Sequence, residues 1–393
     1  MKKAIALILL LAFAAFSYSC KGLIKNRQTT LVTVTIESGG KVALDVRPAT
    51  LPVLAKRYLR RIISFQTAVA AVPANVQNLR LTVSATDMAS IVQTVTVAGL
   101  DTVDLLVDVP NGLQRNFLVE GLDSGGIVTY NGSAITDLNG SPVLLTVTMT
   151  ATGVFVSPLG TNTPPCSEAA PCLTIPYALT QTTSTIPTVF VSAGTYSFGG
   201  GFTVPANRSI ICQGANHSSI LSSLLTGGAL ITGNAGVTIS GCAIVLGSSG
   251  ATPIITDNNA NILVNNCVVK GSGFAMPTVG IALSGNSTVQ NSTIAGFSYI
   301  SNSGISITGG SSLISSNTFT GNEQGISISG GTPLVELNTL TNNVSYSVNI
   351  TGGNATIRNN QISASNNGIS ITAASATITG NTINNNIVYG IIV

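Results

Sequence analysis

The chain has 393 residues, of which only 7% are charged, 16 Lys and Arg with 13 Asp and Glu, against roughly 25% in typical soluble domains. Hydrophobic residues make up 44%, which excludes an intrinsically disordered chain, because disorder requires low hydrophobicity together with high net charge. Beyond the N-terminus no apolar run is long enough to span a bilayer, and a net charge of +3 without a strong basic patch gives no basis for nucleic-acid binding.

Residues 1–19 have the pattern of a secretory signal peptide, with two lysines, an apolar run at 4–16 and small residues before Cys20. This placement resembles the bacterial lipoprotein signal, in which the Cys is lipidated and becomes the mature N-terminus. Ser17 and Tyr18 depart from the Leu that this signal prefers, and the alternative is an ordinary signal cut nearby. The resemblance implies an exported, membrane-anchored lipoprotein of the outer membrane or cell surface, with residues 20–30 as a lipidated linker.

Residues 31–150 predict a small β-sandwich. Seven short runs are rich in β-branched and apolar residues, and clusters of Gly, Pro, Asn and Asp separate several of them. The runs are 31–36, 79–83, 92–97, 103–107, 115–119, 127–130 and 143–149. Their number and spacing are typical of an immunoglobulin-like or fibronectin-like sandwich, and resemble the accessory sandwiches of bacterial surface proteins.

One basic cluster at 56–61 stands out within this region. Its four charged residues are Lys56, Arg57, Arg60 and Arg61. Clustered Lys and Arg attract anionic lipid headgroups or acidic glycans. The alternative is a solvated loop or a short helix.

A composition change near residue 150 predicts a domain boundary, because only seven of the charged residues follow it. From 236 to 393 a repeat of 21–25 residues is visible in a column of small or polar residues, Cys242, Cys267, Ser292, Asn317, Asn338, Asn360 and Asn381. Two residues after each lies an apolar residue, in the column Ile244, Val269, Ile294, Phe319, Leu340, Ile362 and Ile383. Three residues before each lies another, in the column Ile239, Val264, Val289, Ile314, Val335, Ile357 and Ile378.

A further strand recurs once per repeat, at 279–283, 303–307, 324–328, 346–350, 367–371 and 389–393. Each repeat is too small to bury its own apolar face but can stack on copies of itself, which predicts a parallel β-solenoid. Asn suits the corners, because it tolerates left-handed backbone geometry and its amide can bond the neighbouring coil about 4.8 Å away.

This region resembles the right-handed parallel β-helix of the pectin-lyase superfold. The segments 154–160, 171–179, 188–196 and 208–214 follow the order of strand, short helix, strand and first coil found in the N-terminal cap of an uncharacterised bacterial β-helix family. The resemblance assigns the first coils and the cap to 151–235. The predicted class is all-β, an N-terminal sandwich followed by a right-handed β-helix.

The cysteines after Cys20 predict disulfides, since an exported chain meets an oxidising environment. Cys166 and Cys172 flank a short loop and form the favoured bridge. Cys242 and Cys267 share a column, and stacking places them within disulfide range, so they form either a bridge or two buried thiols. Cys212 is expected to be a small core residue. The spacing contains no metal-site motif, and no metal or other cofactor is expected.

Acid–base chemistry has few candidates in the solenoid. Asp257 and Lys270 lie 13 residues apart and are the one pair that could meet near a corner. Glu336 and Arg358 occupy equivalent outward positions and predict a surface ion pair. The Asp clusters of polysaccharide lyases and the paired carboxylates of hydrolases need several charges in one groove.

A binding surface is the alternative to catalysis. The early coils carry longer loops that contain Phe274, Phe297 and Tyr299, and exposed aromatic side chains can stack on sugars or anchor a protein. Otherwise these side chains fold back over the coil corner. The favoured function is a non-catalytic β-helix that serves as a binding or structural module, with a polysaccharide or a surface protein as its partner, and the runner-up is a carbohydrate-active lyase or hydrolase.

The final strand, at 389–393, has no polar cap after it. Its edge can pair with another chain. The expectation is therefore a cap supplied by a partner or a second copy, or a sequence that continues in a longer protein.

Overall fold

The computed structural model describes residues 29–37, 41–48, 76–97, 105–140, 143–223, 228–246, 253–271 and 279–393. The chain divides into two compact units, and the division lies between Ala151 and Thr152. Cys20, the basic cluster at 56–61 and Phe274 lie outside the described residues, and the expectations attached to them stay predictions.

The first unit consists of antiparallel strands. They are β1 (Thr29–Glu37), β2 (Lys41–Pro48), β3 (Asn78–Ala85), β4 (Met88–Thr96), β5 (Leu105–Pro110), β6 (Gly112–Leu122), β7 (Val128–Leu138), β8 (Val143–Thr148) and β9 (Thr150–Ala151). One sheet has the order β5-β1-β2-β8 and the other has the order β4-β3-β6-β7-β9. Each of the seven predicted runs overlaps one of these strands, whereas β2 and β9 were not predicted.

Both sheets contribute to one apolar core. The buried side chains include Leu81 of β3 and Phe117 of β6 from one sheet, with Val109 of β5 and Val147 of β8 from the other. Two antiparallel layers that share a core form a sandwich. Whether it is immunoglobulin-like stays a prediction.

The second unit begins with β10 (Gly153–Val156), α1 (Ile175–Gln181), β11 (Thr188–Val191), β12 (Gly194–Phe198), β13 (Phe202–Val204), β14 (Ser209–Cys212), a 3₁₀ turn (Ala215–His217), β15 (Ser219–Ser223) and β16 (Ile231–Gly233). Its middle strands are β17 (Val237–Ser240), β18 (Ala243–Leu246), β19 (Ile255–Thr256), β20 (Ile262–Asn265), β21 (Val268–Lys270), β22 (Val279–Leu283), β23 (Thr288–Gln290), β24 (Thr293–Ala295), β25 (Ser303–Ile307), β26 (Leu313–Ser315), β27 (Thr318–Thr320) and β28 (Gln324–Ile328).

The remaining strands are β29 (Leu334–Glu336), β30 (Thr339–Thr341), β31 (Tyr346–Ile350), β32 (Asn354–Arg358), β33 (Gln361–Ser363), β34 (Asn367–Ile371), β35 (Ser375–Thr379), β36 (Thr382–Asn384) and β37 (Tyr389–Ile392). They complete three parallel sheets. Sheet I runs from β10 and β11 through every third strand to β35, sheet II from β12 to β36 and sheet III from β13 to β37. Successive coils therefore stack in register, as the solenoid prediction requires.

The inward columns are the predicted ones. In sheet II, Ile294 pairs with Phe319 and Phe319 pairs with Leu340, and all three side chains are buried. In sheet I, Ile314 pairs with Val335. These columns form one continuous apolar core along the unit, which supplies the burial that a single coil cannot provide.

The predicted Asn column forms a hydrogen-bonded ladder. The Asn317 backbone N–H donates to Asn338 Oδ1 at 2.9 Å, and the Asn338 N–H donates to Asn360 Oδ1 at 2.9 Å. Asn338 Nδ2 also donates to Ile314 O of the preceding coil at 2.8 Å. Each ladder Asn is thereby bonded to the coil before it and the coil after it.

Left-handed backbone geometry lies one residue before the ladder, not on it. The positive φ values belong to the column Gly241, Asn266, Asn291, Ser316, Leu337, Asn359 and Gly380. The sequence-based expectation gave one Asn both tasks, and this was wrong. The two tasks are divided between consecutive residues, because a residue with a positive φ turns the chain so that the next side chain points inward.

The short helix caps the first coils. Its N-cap residue is Thr174, whose side chain accepts a hydrogen bond from the Tyr177 N–H, and Pro176 occupies the first turn, where its missing N–H costs nothing. Ile175, Ala178 and Leu179 are buried against the apolar core. The helix therefore lies where the resemblance to the N-terminal cap implied.

Candidate functional site

Asp257 is held in a closed hydrogen-bonded turn. It follows β19, and its side chain is fully buried. The carboxylate accepts hydrogen bonds from the Ser284 N–H and hydroxyl at 2.9 Å, the Gly285 N–H at 2.9 Å, the Ser287 hydroxyl at 2.8 Å and the Asn259 N–H at 3.1 Å. These donors come largely from the next coil. Asp257 therefore joins two coils in the way that an Asn does at other corners.

The structure does not bring Asp257 and Lys270 together as an acid and base. Asp257 follows a strand of sheet III, whereas Lys270 ends a strand of sheet II and is exposed. Lys270 is paired in register with Val245 and Ala295. The sequence suggested these two residues only as a weak candidate pair, and in the structure the Asp257 carboxylate is instead buried and bonded to the next coil.

Glu336 and Arg358 form the expected ion pair between neighbouring coils. They are paired in register, and the Arg358 Nε and Nη2 atoms lie 2.7 Å and 2.6 Å from Glu336 Oε2. The Arg358 side chain is 46% exposed, and a pair of this kind contributes about 0–1 kcal/mol to stability.

Two of the three predicted aromatic residues can be placed. Phe297 is 1% exposed and belongs to the apolar core, so the alternative in which it folds back over the corner is the correct one. Its ring packs over Gly280, where a Cβ atom would come within 2.9 Å of it. Tyr299 is 37% exposed and stays available to a ligand.

The structure contains two disulfides. Cys166 is bonded to Cys172, with the Cα atoms 4.9 Å apart, which is the bridge that the sequence favoured. Cys212, expected to be an unbonded core residue, is bonded to Cys242 with a Cα separation of 5.0 Å. Cys267 is a free, buried thiol. A bridge from Cys242 to Cys267 is therefore absent from this structure, because Cys242 is already bonded to the preceding coil.

Sequence reasoning missed a surface on sheet II. Its outward positions form two columns from β24 to β36, because each outward residue pairs in register with the equivalent residue of the next strand. We call these ten positions the threonine face, and its members are Thr293, Thr318, Thr339, Gln361 and Thr382 with Ala295, Thr320, Thr341, Ser363 and Asn384. The signal was present, because a Thr-x-Thr pattern surrounds the buried residue of two strands, β27 and β30.

The threonine face is regular and uncharged. Neighbouring strands are about 4.8 Å apart, and alternate residues of one strand are about 6.7 Å apart. Thr318, Thr339, Gln361 and Thr382 are exposed, and their column neighbours Thr320 and Thr341 are half-buried. The face thus presents hydroxyl groups and methyl groups at fixed intervals.

Two further ionisable side chains, His217 and Glu323, each contact the protein itself. His217 Nε2 lies 2.8 Å from Asn266 O, and the Glu323 carboxylate accepts a hydrogen bond from the Ser345 hydroxyl at 2.6 Å. Among the described residues, no group of three or more His, Cys, Asp and Glu side chains is placed to hold a metal ion. The same part of the chain contains no helix that is both long and apolar enough to cross a membrane.

A comparison with protein-family models supports the fold. A family model described as a right handed beta helix region matches residues 205–334 and 254–393. The chain is similar in structure to the catalytic unit of a thermostable GH87 alpha-1,3-glucanase from Streptomyces thermodiastaticus strain HF3-3, with a TM-score of 0.41, 15% identity and coverage of 92% of this chain and 68% of that one. It is also similar to the Agl-KA catalytic domain, with a TM-score of 0.29, 13% identity and coverage of 91% of each chain.

No curated protein sequence matches the chain. The family match covers the strands of the three parallel sheets from β14 onward. The C-terminal unit is a right-handed parallel β-helix.

Proposed function

We propose that this protein is an exported, membrane-anchored lipoprotein whose β-helix binds an extended, uncharged polysaccharide without cleaving it. The threonine face is the binding surface in this proposal. The N-terminal unit lies between the lipidated Cys20 and the β-helix in the sequence, and spaces the binding surface from the membrane.

The observation that carries the proposal is the regular array of hydroxyl groups on the threonine face. A polysaccharide is a polymer with hydroxyl groups on every sugar, and a row of evenly spaced hydroxyl and amide groups can donate to it and accept from it at successive sugars. The face carries no charged residue at its ten positions, which favours a neutral ligand over a polyuronate. Tyr299, in the loop that follows β24, offers an exposed ring for stacking on a sugar.

The engagement of the acidic groups supports binding over catalysis. Asp257 is buried and accepts hydrogen bonds from neighbouring turns, Glu336 is paired with Arg358, and Glu323 is bonded to Ser345. A general acid or base must reach the substrate within hydrogen-bond distance. These carboxylates are engaged with the protein itself.

The binding test uses the full chain with a Cys20→Ser change, so that it is purified without lipid. Insoluble neutral polysaccharides and polyuronates are incubated with the protein, and both retention and release of soluble sugar are measured. We expect retention on at least one neutral polysaccharide, at least a tenfold loss of retention in Thr318→Lys/Thr339→Lys, and no sugar release.

The matched control is Ser306→Lys/Ser327→Lys, which places the same charges on register neighbours in sheet III. This variant should bind as the unmodified chain does. Equal retention of both variants would disprove the role of the threonine face. Sugar release would instead support the second candidate, a carbohydrate-active lyase or hydrolase.

The anchor is tested separately by metabolic labelling with radioactive palmitate. The wild-type chain should incorporate the label and partition with membranes, and Cys20→Ala should do neither. Labelling of both chains to the same extent would show that Cys20 is not the lipidated residue.

A further inference from the structure

Three cysteines lie in neighbouring coils of the β-helix near its N-terminal end. Cys212 ends β14, Cys242 precedes β18 and Cys267 precedes β21. Cys212 and Cys242 are bonded, and Cys267 is a free thiol buried in the same apolar core. The bonded and free sulfur atoms therefore occupy one packed region.

The register places Cys242 and Cys267 side by side. Ala243 pairs with Val268 in parallel strands, so the residues just before them are stacked at about 4.8 Å, the spacing of adjacent strands. Disulfide-bonded Cα atoms are usually about 4.4–6.8 Å apart. The backbone of Cys242 is consequently suited to a bond with Cys267 as well as with Cys212.

The orientation of the Cys267 side chain also favours a bond with Cys242. Its thiol lies 3.3 Å from Asn265 O and 3.6 Å from Ile239 O, and Ile239 belongs to the coil that contains Cys242. Cys242 Sγ has the equivalent contact with the carbonyl two residues earlier, Ser240 O, at 3.4 Å. The two side chains thus lie parallel, and Cys267 is directed toward the coil of Cys242.

We propose that Cys267 is a reserve partner of Cys242, and that the three cysteines form an exchange triad with two interchangeable disulfides. The Cys267 sulfur, after losing its proton, attacks Cys242 Sγ and forms a new S–S bond. The Cys212–Cys242 bond breaks, and its electron pair passes to Cys212 Sγ, which takes up a proton. One disulfide and one thiol are present before and after, so no oxidant or reductant is consumed.

Burial sets the rate of this exchange. It raises the pKa of the Cys267 thiol to about 12, and the thiolate is the attacking species. At neutral pH the folded chain therefore keeps the Cys212–Cys242 bond, and exchange accelerates about tenfold for each pH unit below the pKa because the thiolate fraction rises in that proportion.

The consequence is that a coil junction can be cross-linked even when Cys212 is lost, because an external disulfide of the oxidising environment can then oxidise the Cys242 and Cys267 thiols to a bond. Cys242 can be bonded to the coil before it or to the coil after it. An exported chain with an unpaired cysteine would otherwise be open to bonding with other proteins, and the triad keeps the spare thiol buried and internal.

The test is disulfide mapping of the full chain. Trypsin cleaves after Arg208 and Lys270, and an Asp-specific protease cleaves before Asp257, so Cys212 and Cys242 fall in one peptide and Cys267 falls in another. A bond from Cys242 to Cys267 links the two peptides under non-reducing conditions, whereas the Cys212–Cys242 bond does not.

We expect Cys212→Ala, folded in the presence of oxidised glutathione, to yield the linked peptides; the glutathione disulfide takes the two electrons and two protons that the Cys242 and Cys267 thiols lose, and leaves as two glutathione thiols. Wild-type chain at neutral pH should yield the unlinked peptides. Two free thiols in a folded Cys212→Ala chain, trapped by alkylation after denaturation, would overturn the proposal. In wild type, incubation at rising pH should produce the linked form about tenfold faster per pH unit, and Cys267→Ser should never produce it. If Cys212→Ala does not fold, failure of wild type to form the link across this pH series overturns the proposal.

Discussion

At the scale of single residues, equivalent corners of the β-helix differ in how well their residue tolerates a positive φ. Leu337 has a φ of 59° in the left-handed column, where the other members are Gly, Asn or Ser. It is also 57% exposed, so it gains little from burial. For an L-residue other than Gly or Asn, this backbone conformation costs roughly 1–2 kcal/mol.

Replacing Leu337 with Asn should therefore stabilise the β-helix. We expect the free energy of unfolding to rise by about 1 kcal/mol, and the midpoint of thermal unfolding to rise by ~2–4 °C. The matched control is Leu334→Asn, the same change in the ordinary strand β29, where the side chain is half-buried. Calorimetry that shows a loss of stability in Leu337→Asn would contradict the assignment of strain to this corner.

A second corner has two substitutions whose sizes compensate each other. At other junctions an Asn of one coil packs beside a Gly of the preceding coil; for example, a Cβ atom on Gly325 would lie 3.4 Å from Asn343 Nδ2. At one junction between coils, Ser347 stands in the Gly column and Ser365 of the next coil stands in the Asn column, and their hydroxyl groups lie 2.8 Å apart. The shorter Ser365 leaves Asn343 Nδ2 buried without a hydrogen-bond partner.

Introducing the Gly and Asn pair at this junction should give Asn343 Nδ2 a hydrogen-bond partner. Ser365→Asn alone would crowd the Cβ of Ser347, whereas Ser347→Gly/Ser365→Asn would give Asn343 an amide acceptor. A double-mutant cycle from denaturant unfolding should show a favourable coupling of about 1–2 kcal/mol. Simple additivity of the two changes would mean that the serines do not compensate each other.

At the scale of elements, the ladder links each corner to two others. Asn338 Oδ1 accepts from the Asn317 N–H and Nδ2, and Asn338 Nδ2 donates to Ile314 O. All three Asn317, Asn338 and Asn360 side chains are buried. Removing one amide therefore leaves buried polar groups of the neighbouring coils without a hydrogen-bond partner.

Asn338→Ala should lower the free energy of unfolding by about 3 kcal/mol or more, because each buried group left without a partner costs about 1–3 kcal/mol. The control is Thr339→Ala, at the next residue but exposed, for which we expect a change within about 0.5 kcal/mol. Chemical denaturation monitored by circular dichroism checks both variants. If the two variants lose similar amounts of unfolding free energy, the ladder does not contribute specifically to stability.

Much of the element pattern could be predicted from the sequence, and the exceptions have physical causes. The inward columns were visible because a buried strand position must be apolar in every coil. The left-handed corners were misassigned because Asn occupies both columns, as the pairs Asn342-Asn343, Asn359-Asn360 and Asn385-Asn386 show.

Strand β2 was missed although Val42, Leu44 and Val46 alternate with other residues. The Cys212–Cys242 bond and the carboxylate turn at Asp257 could not be predicted, because they depend on which way a side chain points at a corner. Of the candidate site, the Thr-x-Thr pattern was readable, whereas the exposure of Tyr299 and the burial of Phe297 depend on loop conformation.

At the scale of the whole molecule, charge is concentrated in the first 150 residues, and the β-helix is nearly neutral. The ion pair of Glu336 with Arg358, which joins two neighbouring coils, lies at the surface. Stacked like charges would repel, whereas stacked Asn, Ser and Thr bond to one another. The low charge of the sequence is thus a property of how the coils stack.

The stability of the β-helix should therefore depend little on salt. Between about 0.01 M and about 1 M NaCl, the opening free energies of the Ile314 and Ile326 amides should change by less than about 1 kcal/mol. Hydrogen exchange resolved by residue measures this, and Glu336→Gln should be as insensitive as wild type. A change of several kcal/mol would point to electrostatic contributions that the ion pair does not explain.

The backbone N–H groups of the ladder all donate in one direction along the chain. Cys267, Ser292, Asn317, Asn338 and Asn360 each donate a backbone N–H to the side chain one coil later. A coil that has just folded thus presents open donors on the side where its successor will add, and that successor supplies the acceptor. Because synthesis delivers the N-terminal coils first, the β-helix is built to assemble vectorially, each turn completed by the arrival of the next.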